Sequence, residues 1–226
     1  MMDEARQEIK CILEPGRDAA LARWIALHPA AFREAHPERQ VNNIYFDSFD
    51  LGCFGENLSG VSGRTKCRLR WYGEGTAARK AVLEFKERRN LSGSKRRHDV
   101  EFQAELGDLS FDEILRTTTL GLPDPERTRF AGMVGAVLLN HYRRRYFVSF
   151  DGRVRVTVDR DLGFYDQRSL RGPDTRFRVN SPDIIVLECK YASDDDAHTR
   201  QAISDLPARV TRCSKYALGV QWILGY

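Results

Sequence analysis

Arg64-Thr65-Lys66-Cys67-Arg68-Leu69-Arg70-Trp71-Tyr72-Gly73 sets a cation at every second position, with small or apolar residues between. Side chains alternate faces along a strand. A strand over 65–72 therefore shows Lys66, Arg68 and Arg70 on one face, extended by Arg64, and Cys67, Leu69 and Trp71 on the other. The spacing recurs in Arg6, Glu8 and Lys10, in Glu84, Lys86 and Arg88, in Arg153 and Arg155, and in Glu188 and Lys190. Strands of this kind side by side make a wall of ammonium and guanidinium groups with a few carboxylates among them. Such a wall suits a polyanion and a divalent metal. One such strand alone reads equally well as a charged, solvated edge; its repetition along the chain favours a binding surface.

The rest of the chain frames that wall. Its 226 residues, 42% hydrophobic and 30% charged, are enough for a sizeable core. The net charge is only +4, so the cations act by location rather than by sum. That small excess, the glutamates among the cations and the lack of a reader motif argue against a nucleic-acid partner. Five scattered cysteines without a CxxC pair suggest free thiols in a reducing cytosol. No signal peptide and no run of about 18 apolar residues is seen, so a cytoplasmic location is expected. Neither GxxxxGK[ST] nor GxGxxG occurs.

Along the chain we expect strands over 5–13, 41–46, 65–72, 81–88, 97–103 and 184–191. A hairpin over 142–150 and 153–159 turns at Asp151-Gly152. Helices are expected from Asp18 to about 28, from the Ser110/Glu113 capping box to about 120, over 126–138, and from Asp194–Asp196 to about 206. Segments 30–40 and 160–182 read as polar connections, the second with a short strand near Phe177. Segment 89–96 reads as a mobile basic loop, and 214–223 as a final strand or helix–strand element. No linker splits the chain, so one α+β domain over 1–226 is expected, with a closed antiparallel β-barrel, a charged interior and helices packed outside.

These residues resemble a known family. Lys66-Cys67-Arg68-Leu69-Arg70-Trp71-Tyr72-Gly73 is similar to the KxRxRWYG strand of the VTC domain, the polyphosphate-polymerase domain of the vacuolar transporter chaperone family. Further landmarks follow in order: Arg6-x-Glu8-x-Lys10, Ile44-Tyr45-Phe46-Asp47, Glu84-x-Lys86, Tyr142-x-Arg144, Val154-Arg155-Val156-Thr157-x-Asp159, Leu187-Glu188-x-Lys190-Tyr191 and Ser214-Lys215-Tyr216. The VTC domain is one of the triphosphate tunnel metalloenzymes, the CYTH-like superfamily, whose barrel encloses a basic tunnel with metal-binding glutamates.

The resemblance implies ATP-dependent phosphoryl transfer onto a growing polyphosphate chain, with Mn²⁺ or Mg²⁺ as cofactor. Such chemistry rests on positioning and charge neutralisation. Carried over residue by residue, Lys10, Arg68, Arg70, Lys86, Arg144 and Arg155 are the catalytic cations, and Glu188 is the first metal ligand. Glu8 and Glu84 are further metal ligands or partners that orient the cations. Arg64, Lys66, Lys95, Lys190 and Lys215 are substrate-binding positions. Expected partners are ATP or another triphosphate and polyphosphate. Docking onto a separate membrane protein at the inner face of the membrane remains an option, since no SPX domain or membrane segment is seen. Cys11 departs from the family, which often has an aromatic there. A hydrolase of tripolyphosphate and a non-enzymatic polyphosphate-binding module are the alternatives.

Overall fold

The computed structural model describes residues 6–89, 92–133, 135–192, 204 and 206–226. The elements run β1 (Arg6–Leu13), α1 (Asp18–Leu27), β2 (Arg33–Asp47), α2 (Gly52–Ser59), β3 (Gly63–Tyr72), β4 (Lys80–Arg89), β5 (Ser92–Glu101), α3 (Phe111–Leu120), α4 (Asp124–Ala131), β6 (Gly135–Val148), β7 (Arg155–Asp166), β8 (Ile185–Ala192) and α5 (Lys215–Leu224). The strands form one antiparallel sheet of eight, in the order β1-β8-β7-β6-β2-β3-β4-β5. The class is α+β. Among the described residues no ladder joins β1 to β5, so hydrogen bonding does not close the sheet into the expected barrel. The two edges show why. Beyond its ladder to β8, β1 bridges Val210 through Cys11, and Thr211 N–H donates to Lys10 C=O. β5 lines the other edge with Lys95, Arg96 and Arg97, charges that oppose pairing with another strand. No helix among the described residues is long and apolar enough to cross a membrane.

The chain divides into two compact units that share the long strands. The first comprises Met1–Arg39, Tyr142–Leu162 and Pro182–Cys213. Its core gathers Cys11, Leu13, Phe147, Val156, Val158, Leu187 and Cys189 from the strands. Leu21 of α1 is buried with them, while Trp24 and Ile25 pack alongside. The second unit comprises Gln40–His141, Gly163–Ser181 and Ser214–Tyr226. In its core Cys67, Leu69 and Trp71 of β3 meet Leu83 and Phe85 of β4, with Phe111 and Ile114 of α3 and Phe130 of α4. Those residues are the small and apolar half of the alternation in β3.

Several boundaries differ from the sequence expectation. The segment read as a basic loop over 89–96 is mostly the β4–β5 hairpin, because its charges are neutralised on both faces. Lys95 and Arg97 bond Glu84 on one side. Arg96 bonds Glu87 and Glu126 on the other, and Arg129 also reaches Glu87. The helix expected over 126–138 stops at Ala131, and β6 starts at Gly135. Ala136, Val137, Leu138 and Leu139 are all buried, and a short apolar run covered on both sides reads alike as helix or strand. Arg33 to Gln40 extends β2, and β7 runs on to Asp166 past Asp161 at φ +52°. The final element is a helix, and Phe177 lies outside any strand. The helix expected at Asp194–Asp196 falls outside the described residues.

Helices also do not all lie on the apolar side of the sheet, as expected. In the second unit Tyr216 of α5 stacks on Tyr45, which stands opposite Arg68 and shares its face. Gly219 lets α5 come this close, since a Cβ there would sit 2.6 Å from Leu138 Cδ2 and from Phe164 Cδ1.

Candidate functional site

In the second unit, strand register turns the alternating cations into rows. Lys66 stands opposite Lys86 and Lys86 opposite Lys95; Arg68 stands opposite Glu84 and Glu84 opposite Arg97. Arg64 and Arg88 pair one row further on, and Arg70, Val82 and Asp99 form the row on the other side. Glu84, 3% exposed, is the hub. Its Oε2 accepts from Arg68 Nε at 2.7 Å and Nη2 at 2.5 Å, with Arg70 Nη1 at 3.8 Å. Its Oε1 meets Lys95 Nζ at 2.5 Å and Arg97 Nε at 3.2 Å. Burial would raise the Glu84 carboxyl pKa, but the Arg68, Arg70 and Lys95 charges overcome it and hold the group well below the carboxylate range. Burial pushes the Lys95 ammonium down to about 8, against the pull of Glu84.

This hub rests on a buried polar floor. Arg70 Nε donates to Asn43 Oδ1 at 2.8 Å, and Asn43 Nδ2 donates to Asn140 Oδ1 at 2.8 Å. Arg68 Nη1 donates to the Tyr45 hydroxyl at 3.3 Å, and the Tyr45 ring lies 4.9 Å from that of Tyr216. The Tyr216 hydroxyl donates to Asp47 Oδ2, and Asp47 also accepts the N–H groups of Cys53 at 2.8 Å and Phe54 at 3.0 Å. Asp47 thus anchors the start of α2 and fixes α5. Burial, with Asp47 beside it, pushes the Tyr216 phenol far up, so it stays a donor.

In the first unit, β1 and β8 put Lys10 opposite Glu188 and Glu8 opposite Lys190. Two carboxylates and two ammonium groups alternate in a square. Lys10 Nζ is 2.6 Å from Glu8 and 3.8 Å from Glu188; Lys190 Nζ is 2.6 Å from Glu188 and 3.9 Å from Glu8. Burial opposes the charge on Glu188, yet Lys10, Lys190 and Arg144 hold its pKa far below the usual range. Burial likewise opposes the charge on Lys10, and Glu188 with Glu8 raises its pKa in spite of it. Arg144 is clamped by Asp159, Nε at 2.5 Å and Nη2 at 2.7 Å. Thr157 stands opposite Glu188, and its buried Oγ1 has no partner among the described residues.

The family model of the VTC domain matches residues 5–224. The chain belongs to the VTC-domain family. A search of curated protein sequences finds no match. Two solved structures with a similar chain course are a candidate adenylate cyclase from Vibrio parahaemolyticus and a protein from Pyrococcus horikoshii. The first is 11% identical with a TM-score of 0.46, covering 94% of this chain and 96% of its own. The second is 13% identical with a TM-score of 0.46, covering 96% and 98%.

The structure places the expected residues of this VTC domain in two groups. Arg68, Arg70, Glu84 and Lys95 meet at the hub, with Arg64, Lys66 and Lys86 in the rows beside it. Glu8, Lys10, Glu188 and Lys190 form the square, with Arg144 charge-coupled to Glu188. Arg155 stands opposite Lys190 but is exposed, and Lys215 opens α5 beside Tyr216. The sequence reading gave no role to Arg97, which opened the expected strand over 97–103, because Lys95 before it was assigned to a loop and the alternation between them was not followed. It also gave no role to Asn43, Tyr45, Asp47, Asn140, Asp159 or Tyr216. Tyr45, Asp47, Asp159 and Tyr216 lie in the family landmarks, and Asn43 and Tyr45 continue one face of β2 toward Asp47.

A divalent cation needs oxygen ligands, and Mg²⁺ is held by one or two carboxylates with the rest from water and phosphate. Glu8 and Glu188 fit that need, since Glu188 is ionised and the orphaned Thr157 hydroxyl lies on the same strand-pair face. Among the described residues no group of three His, Cys, Asp or Glu gathers, so a cation held by Glu8 and Glu188 would take its remaining ligands from water and phosphate. Glu84 meets cations at both oxygens, as Glu188 does, but with Arg68, Arg70, Lys95 and Arg97 around it against Lys10 and Lys190 around Glu188. That arrangement suits the expectation of a partner that orients the cations.

Proposed function

We propose that this VTC domain transfers a phosphoryl group from ATP onto a growing polyphosphate chain, with Mn²⁺ or Mg²⁺. The observation that supports it is the Glu84 hub. One buried carboxylate holds Arg68, Arg70, Lys95 and Arg97 in place, with further Lys and Arg rows alongside. Preorganised forks of this kind grip phosphate oxygens bidentately and meet charge that develops during transfer. Arg68 and Arg70 bind and orient, their geometry fixed by Glu84, Tyr45 and Asn43. Lys66, Lys86 and Arg64 extend the cationic face and guide the chain.

The square of Glu8, Lys10, Glu188 and Lys190 supplies the acidic component. Glu84 serves to orient cations, whereas Glu188 and Glu8 sit in addition on the face of the buried Thr157 hydroxyl, which has no partner among the described residues. Glu188, with Glu8 and Thr157, would hold the divalent cation, which when bound neutralises phosphate charge and orients the oxygens. Asp159 keeps the Arg144 fork oriented. The reading is tested by resolving the products of ATP turnover on a gel. Polyphosphate formed by the native chain and lost in Glu188→Gln supports it. Metal-independent turnover, or none, overturns it.

A further inference from the structure

The sheet ends at β5, whose residues from Ser92 to Glu101 all pair with β4. Among the described residues no ladder joins its other side. An edge of that length is a template for one more strand. Its charges decide which strand. Lys95-Arg96-Arg97-His98-Asp99-Val100-Glu101 carries cations at its start and carboxylates at its end. Alternation puts Lys95, Arg97, Asp99 and Glu101 on one face. Such an edge repels a strand of like sign and accepts one whose charges run in the opposite order.

A second β5 running antiparallel is that strand. With His98 opposite its own copy, Lys95 stands opposite Glu101 and Arg97 opposite Asp99, and symmetry repeats both pairs. A register shifted by two residues instead sets Arg97 against Arg97, or Asp99 against Asp99. The groups are available for the contact. Asp99 is exposed and makes no ion pair among the described residues. The Arg97 side chain is 65% exposed and bonds Glu84 through Nε. The Glu101 side chain is 70% exposed and meets Lys80 at 3.5 Å in solvent, a contact of little strength. We infer that β5 is the contact edge of a twofold dimer, in which two copies of this chain join their sheets through Lys95–Glu101 and Arg97–Asp99 pairs. Opposed residues on paired strands share a face, so the dyad keeps both cationic faces on one side. The Arg68–Glu84–Arg97 rows of the two copies then belong to one continuous surface.

The test is sedimentation equilibrium of the full chain over about 5–300 μM protein, in the native form and as the double variant Asp99→Lys with Glu101→Lys. A single strand edge buries less than a standard interface, so the dimer should be weak, with Kd on the order of tens of micromolar. The mean mass of the native chain should climb from 25.9 kDa toward twice that value, and about 0.5 M salt should lower it again. The double variant sets cation against cation at all four pairs and should associate at least about tenfold more weakly. Both positions are exposed, so the fold is kept, which an unchanged Tm checks. Asp99→Asn with Glu101→Gln, which removes the charges without reversing them, should fall between. A native chain that stays at 25.9 kDa throughout overturns the inference. So does a dimer that neither salt nor the variants weaken, since its copies meet elsewhere. Neither ATP nor metal enters the measurement, so its failure leaves the phosphoryl-transfer reading untouched.

Discussion

Lys95 Nζ lies 2.5 Å from Glu84 Oε1, on a carboxylate that Arg68, Arg70 and Arg97 also share. Burial has pushed this ammonium down to about 8, so it alone among the hub cations loses its charge near neutral pH.

Anion affinity should therefore be flat below pH 7.5 and fall as pH rises through about 8. Lys95→Arg keeps its charge and should abolish the fall; Lys95→Met should bind more weakly but without it. Tripolyphosphate titrations across pH 6.5–9.5 read this directly. For folding the sign is opposite. Between pH 8 and the ordinary lysine value the unfolded chain holds a proton that folded Lys95 has lost, so this group favours the fold increasingly as pH rises. An affinity profile that Lys95→Arg leaves unaltered would contradict the assignment.

Glu84→Gln leaves four cations facing one another without their carboxylate. Removing one partner of a buried ionic cluster costs about 3–5 kcal/mol. For a chain of this length that lowers Tm by about 10 °C. Tripolyphosphate should restore much of the loss, raising Tm more in the variant than in the native chain. Equal shifts in both would show that the hub does not meet the anion.

How much of this was legible in the sequence depends on which force set each feature. The rows of cations were visible because period-2 alternation survives in any strand: Arg64, Lys66, Arg68 and Arg70 share a face wherever β3 pairs. Glu84 reads the same way, but its role does not. Only register shows that it faces Arg68 and Arg97, with Lys95 within reach. The first half of β5 was misread because Lys95 and Arg96 look like solvated loop charges until Glu84, Glu87 and Glu126 arrive from other elements. The start of β6 was lost because 136–139 are buried on both faces, which erases periodicity. Closure of the sheet was expected from antiparallel strands with helices between them and from the family resemblance; among the described residues no ladder joins β1 to β5.

Tyr216→Phe removes the hydroxyl donated to buried Asp47 but keeps the ring stacked on Tyr45. Stability should fall by about 1.5–3 kcal/mol in urea unfolding, with an unchanged m-value. Tripolyphosphate affinity should hold, because Arg68 still meets Tyr45. A variant as stable as the native chain would place the anchoring of α5 elsewhere.

Thr157→Val replaces a buried hydroxyl that lacks a partner among the described residues. Its Tm should stay level or rise, since an unsatisfied polar group is removed. Mn²⁺ binding followed by electron paramagnetic resonance, with tripolyphosphate present, should weaken severalfold. Unaltered Mn²⁺ affinity would remove Thr157 from the candidate metal site.

The most direct test incubates the purified chain with ATP and Mn²⁺ or Mg²⁺, with and without a pyrophosphate primer, beside Glu188→Gln. Products are resolved for polyphosphate and assayed for free phosphate. The account predicts metal-dependent polymer that disappears in Glu188→Gln while tripolyphosphate binding persists. Free phosphate alone, lost in the same variant, would make the protein a hydrolase and contradict polymer synthesis. No metal-dependent turnover at all would contradict phosphoryl transfer and leave a polyanion-binding protein.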